Sequence, residues 1–359
     1  MKIGLVGLSK SGKTSLFNLL TGATVATSSF GASRGEMHTG VARVPDERVD
    51  RLSALFKPKK TTFATFEVVD LAGISKGERE GLDAKEFRNA DALLHVVRAF
   101  ADATGAAPNP KGDIADLETE LILADLEVVE RRLERLEASI KKKRTDADVK
   151  EQAVLLQIKP ALEAETPIRA IPLSDDDARA IRGFTFLSQK PILHCLNLSE
   201  KELDRGTALV ESFGLREISG RPGTGVGWVS AVIEAEVSQL AGEEQAAFLA
   251  DLGLAEPAIK RVLRDCYALL GLISFFTVGE DEVRAWSVPR GTRAQDAAGA
   301  IHSDIARGFI RAEVVGYDDL LAADGSMATA REHGRFRLEG KDYLVQDGEI
   351  CHFRFNVGK

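Results

Sequence analysis

Short apolar segments alternate with helical patterns over the first two thirds of the chain. Residues 2–7 are mostly apolar and end in Gly, which predicts a buried parallel strand, and a helical pattern begins at Lys13. Further buried strands are predicted at residues 63–70, 92–97 and 192–197 and, more weakly, at 216–219. Strands that alternate with helices in this way indicate an α/β protein with a doubly wound sheet.

A long helical segment interrupts this alternation between the strands predicted at 92–97 and 192–197. It begins near Asp116, and its apolar residues recur at spacings of four and three. This spacing predicts an inserted helical hairpin or short coiled coil, with a polar turn at 141–148. We interpret the apolar stripe as internal packing in preference to a partner-binding surface. The stripe consists of Ile122, Leu126, Val129, Leu133, Leu136 and Ile140.

The C-terminal segment follows a third pattern. Residues 272–278 and 282–289 predict a β-hairpin, 293–307 a helix, and 336–355 strands separated by turns. This order predicts a small ubiquitin-like β-grasp domain. We therefore divide the chain into residues 1–115 with 186–270, an inserted helical domain at 116–185, and a C-terminal domain at 271–359.

Composition places the chain among ordinary globular proteins. Of its 359 residues, 44% are hydrophobic and 28% charged, and no apolar run is long enough to span a bilayer. The three cysteines lack CxxC spacing, which favours a reduced, cytoplasmic compartment. A net charge of -8 argues against binding nucleic acid through overall electrostatics and leaves room only for a local basic patch.

Residues 7–14 match the phosphate-loop motif GxxxxGK[ST] in full, between a predicted strand and a predicted helix. Such a loop turns its backbone N–H groups towards the phosphates of a nucleotide. We predict that Lys13 bridges the terminal phosphates as a catalytic residue and that the Thr14 hydroxyl binds Mg²⁺. The predicted nucleotide-binding residues of the loop are Ser9, Lys10, Ser11, Gly12, Lys13, Thr14 and Ser15.

A DxxG motif follows the strand predicted at 63–70. Asp70 ends this strand and is predicted to hold Mg²⁺ opposite Thr14, while the N–H of Gly73 would contact the terminal phosphate. Ras-like hydrolases orient the attacking water with a glutamine after DxxG, but this chain has Ile74 there. Another group must therefore position the water.

The base-binding residues are predicted at the end of the strand 192–197. In place of the guanine-binding NKxD, the chain has NxxE, from Asn197 to Glu200, with Leu198 where a lysine would cover the base. Guanine selectivity loses its usual support, so ATP is the better prediction and GTP the alternative. Ser230 and Ala231 would supply the last contact to the base.

Together these motifs resemble the Obg-like ATPase family, also called YchF, over the whole chain. The resemblance implies an ATPase with a P-loop nucleotide-binding domain, a central coiled coil and a C-terminal TGS domain. It also implies association with ribosomes or the translation machinery, with RNA contact through the TGS domain as one mode. Further matching segments are residues 71–73, 75–78, 95–98, 283–286, 308–313, 339–343 and 353–357.

Two departures from the family concern catalysis. Lys10 replaces an asparagine that in related hydrolases helps to bind an activating K⁺. We hypothesise that its ammonium substitutes for the cation as a catalytic group, the alternative being a side chain that points to solvent. The family's catalytic histidine is absent from residues 100–113, and His95 is interpreted as a core histidine.

Two functions follow from these patterns. The first is a slow ATP hydrolase whose nucleotide state controls binding to a translational partner. The second is a nucleotide-regulated binding protein with negligible hydrolysis, because both the glutamine and the family's histidine are missing.

Overall fold

The computed structural model describes residues 1–25, 38–70, 85–102 and 104–356, which form two compact units. The first unit comprises residues 1–42 and 67–269, and the second comprises residues 43–66 and 270–359. The described strands are β1 (Lys2–Val6), β2 (His38–Arg43), β3 (Lys60–Thr62), β4 (Thr65–Asp70), β5 (Ala92–Ala99), β6 (Ile192–Leu198), β7 (Thr224–Val229), β8 (Leu272–Thr277), β9 (Glu282–Pro289), β10 (Phe309–Gly316), β11 (Arg337–Glu339) and β12 (Glu349–Phe355). The described helices are α1 (Lys13–Thr21), α2 (Glu47–Phe56), α3 (Lys85–Asn89), α4 (Pro110–Lys142), α5 (Asp146–Glu163), α6 (Asp175–Ile181), α7 (Gly206–Ser212), α8 (Arg216–Ser219), α9 (Ala231–Val237), α10 (Gly242–Asp251), α11 (Ala258–Leu269), α12 (Ala294–Ile301), α13 (Ser303–Arg307), α14 (Tyr317–Ala322) and α15 (Met327–Glu332).

The sheet of the first unit has the order β2-β4-β1-β5-β6-β7. Strand β1 runs parallel to β4 and β5, and β6 runs parallel to β5 and β7. The chain therefore winds outwards in both directions from β1, as the alternating pattern predicted. In such a sheet, ligands bind beyond the carboxyl ends of the strands where the winding direction changes.

One strand prediction is wrong. Residues 216–219 form the short helix α8, and the strand at this edge of the sheet is β7. Strand β7 was missed because its glycines weaken the apolar pattern. They are needed for close packing, since a Cβ at Gly225 would lie 2.9 Å from Leu193 Cδ1 of the neighbouring strand.

Helices α4 and α5 are joined by three residues, and the stripe of apolar residues from Ile122 to Ile140 packs in the core between them. Helix α4 begins at Pro110, earlier than the start predicted near Asp116, because Asn109 caps it and Pro fits the first turn. The turn is shorter than predicted, since Thr145 caps α5 by accepting a hydrogen bond from Asp148 N–H at 3.2 Å.

The second unit contains a sheet with the order β11-β10-β12-β8-β9-β3. The predicted hairpin is confirmed, since β8 and β9 pair antiparallel. The predicted helix at 293–307 is divided into α12 and α13, because His302 is extended and its Nδ1 accepts from Asp304 N–H. Residues 43–66, which the sequence pattern placed with the segment 1–115, contribute α2 and β3 to this unit. Among the described helices, none is long and apolar enough to cross a membrane.

Candidate nucleotide-binding site

The phosphate loop follows β1 and depends on glycine at both ends. Gly7 has φ +151° and Gly12 has φ +96°, in the range that side chains rarely adopt. A Cβ at Gly7 would lie 2.5 Å from Val96 O, and one at Gly12 would lie 2.3 Å from Asn197 Nδ2. The loop therefore passes too close to the neighbouring strands for any larger residue.

Lys13 begins α1 and turns its ammonium back along the loop. Its Nζ donates hydrogen bonds to Gly7 O at 2.9 Å and to Leu8 O at 3.0 Å. Burial lowers the pKa of Lys13, and the nearby Asp70 carboxylate opposes that change. The first turn of α1 contains no acidic side chain, so its free N–H groups can bind an anion. A chain of phosphates bound there would contact both these N–H groups and the ammonium of Lys13.

Thr14 and Asp70 meet beside the loop, because β4 is the parallel neighbour of β1. The Thr14 hydroxyl donates to Asp70 Oδ2 at 3.3 Å, and Asp70 is 7% exposed. Burial raises the pKa of Asp70, against the opposing effects of Lys13 and Thr14. A buried carboxylate next to a hydroxyl is an oxygen donor set that suits Mg²⁺, which takes few protein ligands besides phosphate and water. The two residues therefore fit the ion that the sequence predicted.

Asn197 connects the loop to the segment that begins α9. Its Nδ2 donates to Ser11 O at 3.0 Å, and its Oδ1 accepts from Ala231 N–H at 3.0 Å. Its side chain is 5% exposed, so both bonds are buried. The sequence predicted that Asn197 takes part in base binding. In the structure, its side-chain amide joins two segments of the site through these hydrogen bonds.

The other predicted binding residues lie at different depths. Leu198, the last residue of β6, is buried in the core, whereas Glu200 is exposed. The hydroxyls of Ser11 and Ser230 are buried and have no hydrogen-bond partner among the described residues. Ser9 and Lys10 are exposed, and Ser15 is half-buried. The structure thus places Lys10 at the surface of the loop, with the backbone in the left-handed region at φ +64°.

Two predicted elements lie outside the described residues. Gly73 and Ile74 fall within residues 71–84. Most of residues 27–39, where we predict the first of two segments that respond to the nucleotide, falls within 26–37. The roles assigned to them therefore stay predictions.

Sequence reasoning missed a buried polar chain behind the loop. His95 and His194 lie side by side on β5 and β6, and Glu118 and Arg169 continue the chain beyond His194. A signal was available, since each of two neighbouring predicted strands carries a histidine at an interior position. The sequence alone did not show that these positions are in register.

Two family models match the chain. Residues 2–133 match a model described as 50S ribosome-binding GTPase. Residues 272–356 match the model YchF-GTPase_C, which is described as a protein of unknown function. Both ends of the chain therefore have relatives of the kind that the motifs indicated.

Curated relatives match the whole chain. A protein of Bacillus subtilis named "Ribosome-binding ATPase YchF" is 42% identical over 363 residues, covering 99% of both chains. The Escherichia coli O157:H7 protein of the same name is 41% identical over 366 residues, also covering 99% of both chains. A solved structure named "Structure of the Schizosaccharomyces pombe YchF GTPase" is similar with a TM-score of 0.84, at 28% identity, covering 99% of this chain and 97% of that one. The chain therefore belongs to the YchF family of P-loop NTPases, as its motifs predicted.

Proposed function

We propose that this chain binds ATP together with Mg²⁺, hydrolyses it slowly, and acts as a nucleotide-dependent switch on ribosomes. The observation that carries the proposal is the convergence of Lys13, Thr14 and Asp70 at the carboxyl ends of two adjacent strands. This set combines an ammonium for the terminal phosphates with two oxygen ligands for a divalent cation. Burying a lysine and an aspartate costs free energy, and a loop with only a structural role would not require this arrangement.

Thr14 and Asp70 are the residues that would hold Mg²⁺. The ion would neutralise charge on the phosphates and help to fix their position. In the protein itself, the hydrogen bond between the Thr14 hydroxyl and Asp70 already orients both oxygen groups towards each other. Lys13 and the N–H groups at the start of α1 would bind the phosphates from the other side.

ATP is the proposed nucleotide, for two reasons. Leu198 is buried in the core, so it does not provide the long polar side chain that covers guanine in NKxD proteins. Glu200 replaces the aspartate that accepts both guanine donors. The bacterial relatives are named ATPases, whereas the fission-yeast relative is named a GTPase.

Calorimetric titration of the purified chain with ATP and with GTP, each with and without Mg²⁺, tests the nucleotide and the metal together. We expect ATP to bind at least about tenfold more tightly than GTP, a difference of about 1.4 kcal/mol. We also expect Mg²⁺ to strengthen the binding of ATP. Equal affinities, or tighter binding of GTP, would reject the proposed base choice, and the absence of binding by either nucleotide would reject the site.

The remaining parts of the chain are proposed to recognise the partner. We assign α4 and α5 as the family's coiled coil and residues 271–359 as its TGS domain, and we propose that the protein works in the cytoplasm. The support is the apolar stripe between α4 and α5, the mixed sheet of the second unit, and the matched C-terminal family model.

Ribosome association should depend on the nucleotide. When the chain is sedimented with ribosomes, we expect the bound fraction to differ between ADP and a non-hydrolysable ATP analogue, since a switch must bind its partner differently in its two states. The Lys13→Ala variant should lose this difference. Equal binding under all conditions would show that the nucleotide does not control the interaction.

A second function is favoured by a specific observation. Ile74 stands where a glutamine would orient water, and residues 100–113 contain no histidine, so the chain lacks two familiar means of activating water. The protein would then bind ATP as a sensor with negligible hydrolysis. A single-turnover assay separates the two functions, because a sensor would bind ATP tightly but consume it no faster than buffer does.

A further inference from the structure

Two histidines form a buried pair immediately behind the phosphate loop. His95 on β5 and His194 on β6 are paired in register and are 1% and 0% exposed. Their Nδ1 atoms are 3.0 Å apart, and their rings meet edge to face. Burial lowers the pKa of both rings, and His194 lowers that of His95 further. Both imidazoles are therefore neutral near pH 7.

A hydrogen bond between two Nδ1 atoms needs one donor and one acceptor. A neutral imidazole carries a single proton, on either Nδ1 or Nε2. The ring that has its proton on Nε2 must therefore accept at Nδ1, and the other ring must donate. Which ring donates is decided by whatever contacts the remaining nitrogens.

The carboxylate of Glu118 on α4 determines which of the two rings donates. Its Oε1 lies 3.4 Å from His194 Nε2, which is close enough for charge attraction although the geometry is not that of a hydrogen bond, and this buried nitrogen has no hydrogen-bond partner among the described residues. The same oxygen is paired with Arg169. Burial raises the pKa of Glu118, but the contact with His194 and the charge of Arg169 outweigh it and hold the pKa at about 2. An ionised carboxylate at this distance attracts an N–H and repels a nitrogen lone pair. His194 therefore has its proton on Nε2, which makes its Nδ1 the acceptor and the Nδ1 of His95 the donor.

The unprotonated nitrogen of His95 is then Nε2, and it belongs to a ring that lines a cavity of about 160 Å³. The cavity is also lined by Gly7 and Leu8 of the loop and by residues of α4, including Asp113 and Leu117. Its walls are partly polar, and it is large enough for several water molecules. His95 thus offers a hydrogen-bond acceptor to water at the back of the phosphate loop.

This side of the loop is where the terminal phosphates are expected. In phosphate-loop proteins, the lysine reaches the outer phosphates. Here the ammonium of Lys13 donates hydrogen bonds to the carbonyl oxygens of Gly7 and Leu8. The cavity therefore adjoins the outer end of the loop, at a distance from the Gly12 end that would hold the inner phosphates.

We infer that His95, held in one tautomer by His194 and Glu118, is a positioning residue for the outer end of the phosphate loop. Its Nε2 accepts a hydrogen bond from water in the cavity, and this water supports residues 7 and 8 while the lysine moves to the phosphates. Glu118 and Arg169 lie on α4 and just after α5, so the chain of contacts also joins the loop to the base of the two long helices. The effect on hydrolysis rests on the proposed function, whereas the tautomer does not.

The tautomer is measured on the nucleotide-free protein by NMR of chain labelled with ¹⁵N in its histidines. The chain has six histidines, so the His95 signals are assigned by their loss in a His95 variant. We expect Nδ1 of His95 to be protonated and Nε2 to be unprotonated. A protonated Nε2 would overturn the inference.

Two substitutions at His95 separate the roles of its nitrogens. His95→Asn keeps a polar group near Nδ1 and removes the one at Nε2, whereas His95→Gln places an amide near Nε2. We expect His95→Asn to slow single-turnover hydrolysis about tenfold, the usual effect of one hydrogen bond, and His95→Gln to stay within about threefold of the unmodified chain. ADP affinity should change less than about threefold in both, because the inner end of the loop is unaffected. A folded His95→Asn variant that hydrolyses ATP at the normal rate would overturn the inference.

A second pair of variants decides the matter if His95→Asn does not fold. Glu118→Leu removes the carboxylate that faces His194 Nε2, so the proton of His95 is no longer held on Nδ1 and hydrolysis should slow about tenfold. The control Glu127→Leu lies on the same helix, where its side chain is 55% exposed, and should change neither property. An unchanged tautomer and rate in Glu118→Leu would contradict the inference. If the unmodified chain hydrolyses no ATP, the proposed hydrolase fails instead, and the inference is judged by the tautomer and by a tenfold loss of ATP affinity relative to ADP in His95→Asn.

Discussion

Replacing Lys13 by Ala is expected to lower the rate of ATP hydrolysis by about 10²- to 10³-fold, the usual effect of removing a preorganised group that stabilises charge in the transition state. The ammonium is buried and held on the carbonyl oxygens of Gly7 and Leu8. Burial of the ammonium strengthens its electrostatic interaction with the negative charge that develops on the phosphates. The rate is measured in single-turnover experiments at saturating ATP and Mg²⁺, so that weakened binding does not mask the effect.

The Lys13→Ala variant should remain folded, because it removes a side chain whose burial already disfavours its charge. Lys141→Ala is the matched control, since Lys141 is exposed at the end of α4 and pairs only with the exposed Glu137 in the described contacts. This control should hydrolyse ATP at the normal rate. A Lys13→Ala variant with full activity would show that the phosphate loop is not the catalytic site.

Replacing Asn197 by Ala is expected to reduce both stability and nucleotide binding. The substitution leaves Ser11 O and Ala231 N–H buried without the partner that the amide supplies. Each unsatisfied buried group costs about 1–3 kcal/mol, so we expect a loss of about 2–4 kcal/mol in the free energy of unfolding of the first unit. Nucleotide affinity should fall at least about tenfold, because ordering even one residue of the released loop costs about 1–2 kcal/mol.

The two tryptophans allow the stability of each unit to be measured separately. Trp228 lies on β7 in the first unit, and Trp286 lies on β9 in the second. Urea denaturation followed by fluorescence in a Trp286→Phe background therefore reports on the unit that contains Asn197. The other unit serves as an internal reference in a Trp228→Phe background.

Asn109→Ala is the matched control for Asn197→Ala. Asn109 caps α4 by accepting from Gly112 N–H at 3.3 Å and is exposed. Losing this cap should cost about 1 kcal/mol of stability and leave nucleotide affinity unchanged. If Asn197→Ala behaved like this control, the bridge between the loop and α9 would have no part in nucleotide binding.

The elements that the sequence predicted best are those in which local pattern and burial agree. Strand β9 has the predicted limits of residues 282–289, and the apolar stripe of α4 lies in a core shared with α5. The pattern failed where special local geometry competes with it. Strand β7 was not predicted because its glycines weaken the apolar pattern. The helix predicted as continuous is divided in two, because the backbone at His302 is extended.

By itself, the sequence determined the phosphate loop, since its glycines, lysine and hydroxyl act at fixed spacings within one turn of chain. The family assignment followed from that motif and a few others. The tertiary structure alone decided which distant residues complete the site. Asn197 meets Ser11 across 186 residues, and His95 meets His194 across 99 residues, because parallel strands bring remote segments into register. Spacing along a chain does not encode the order of strands in a sheet, so these contacts are fixed only when the sheet assembles.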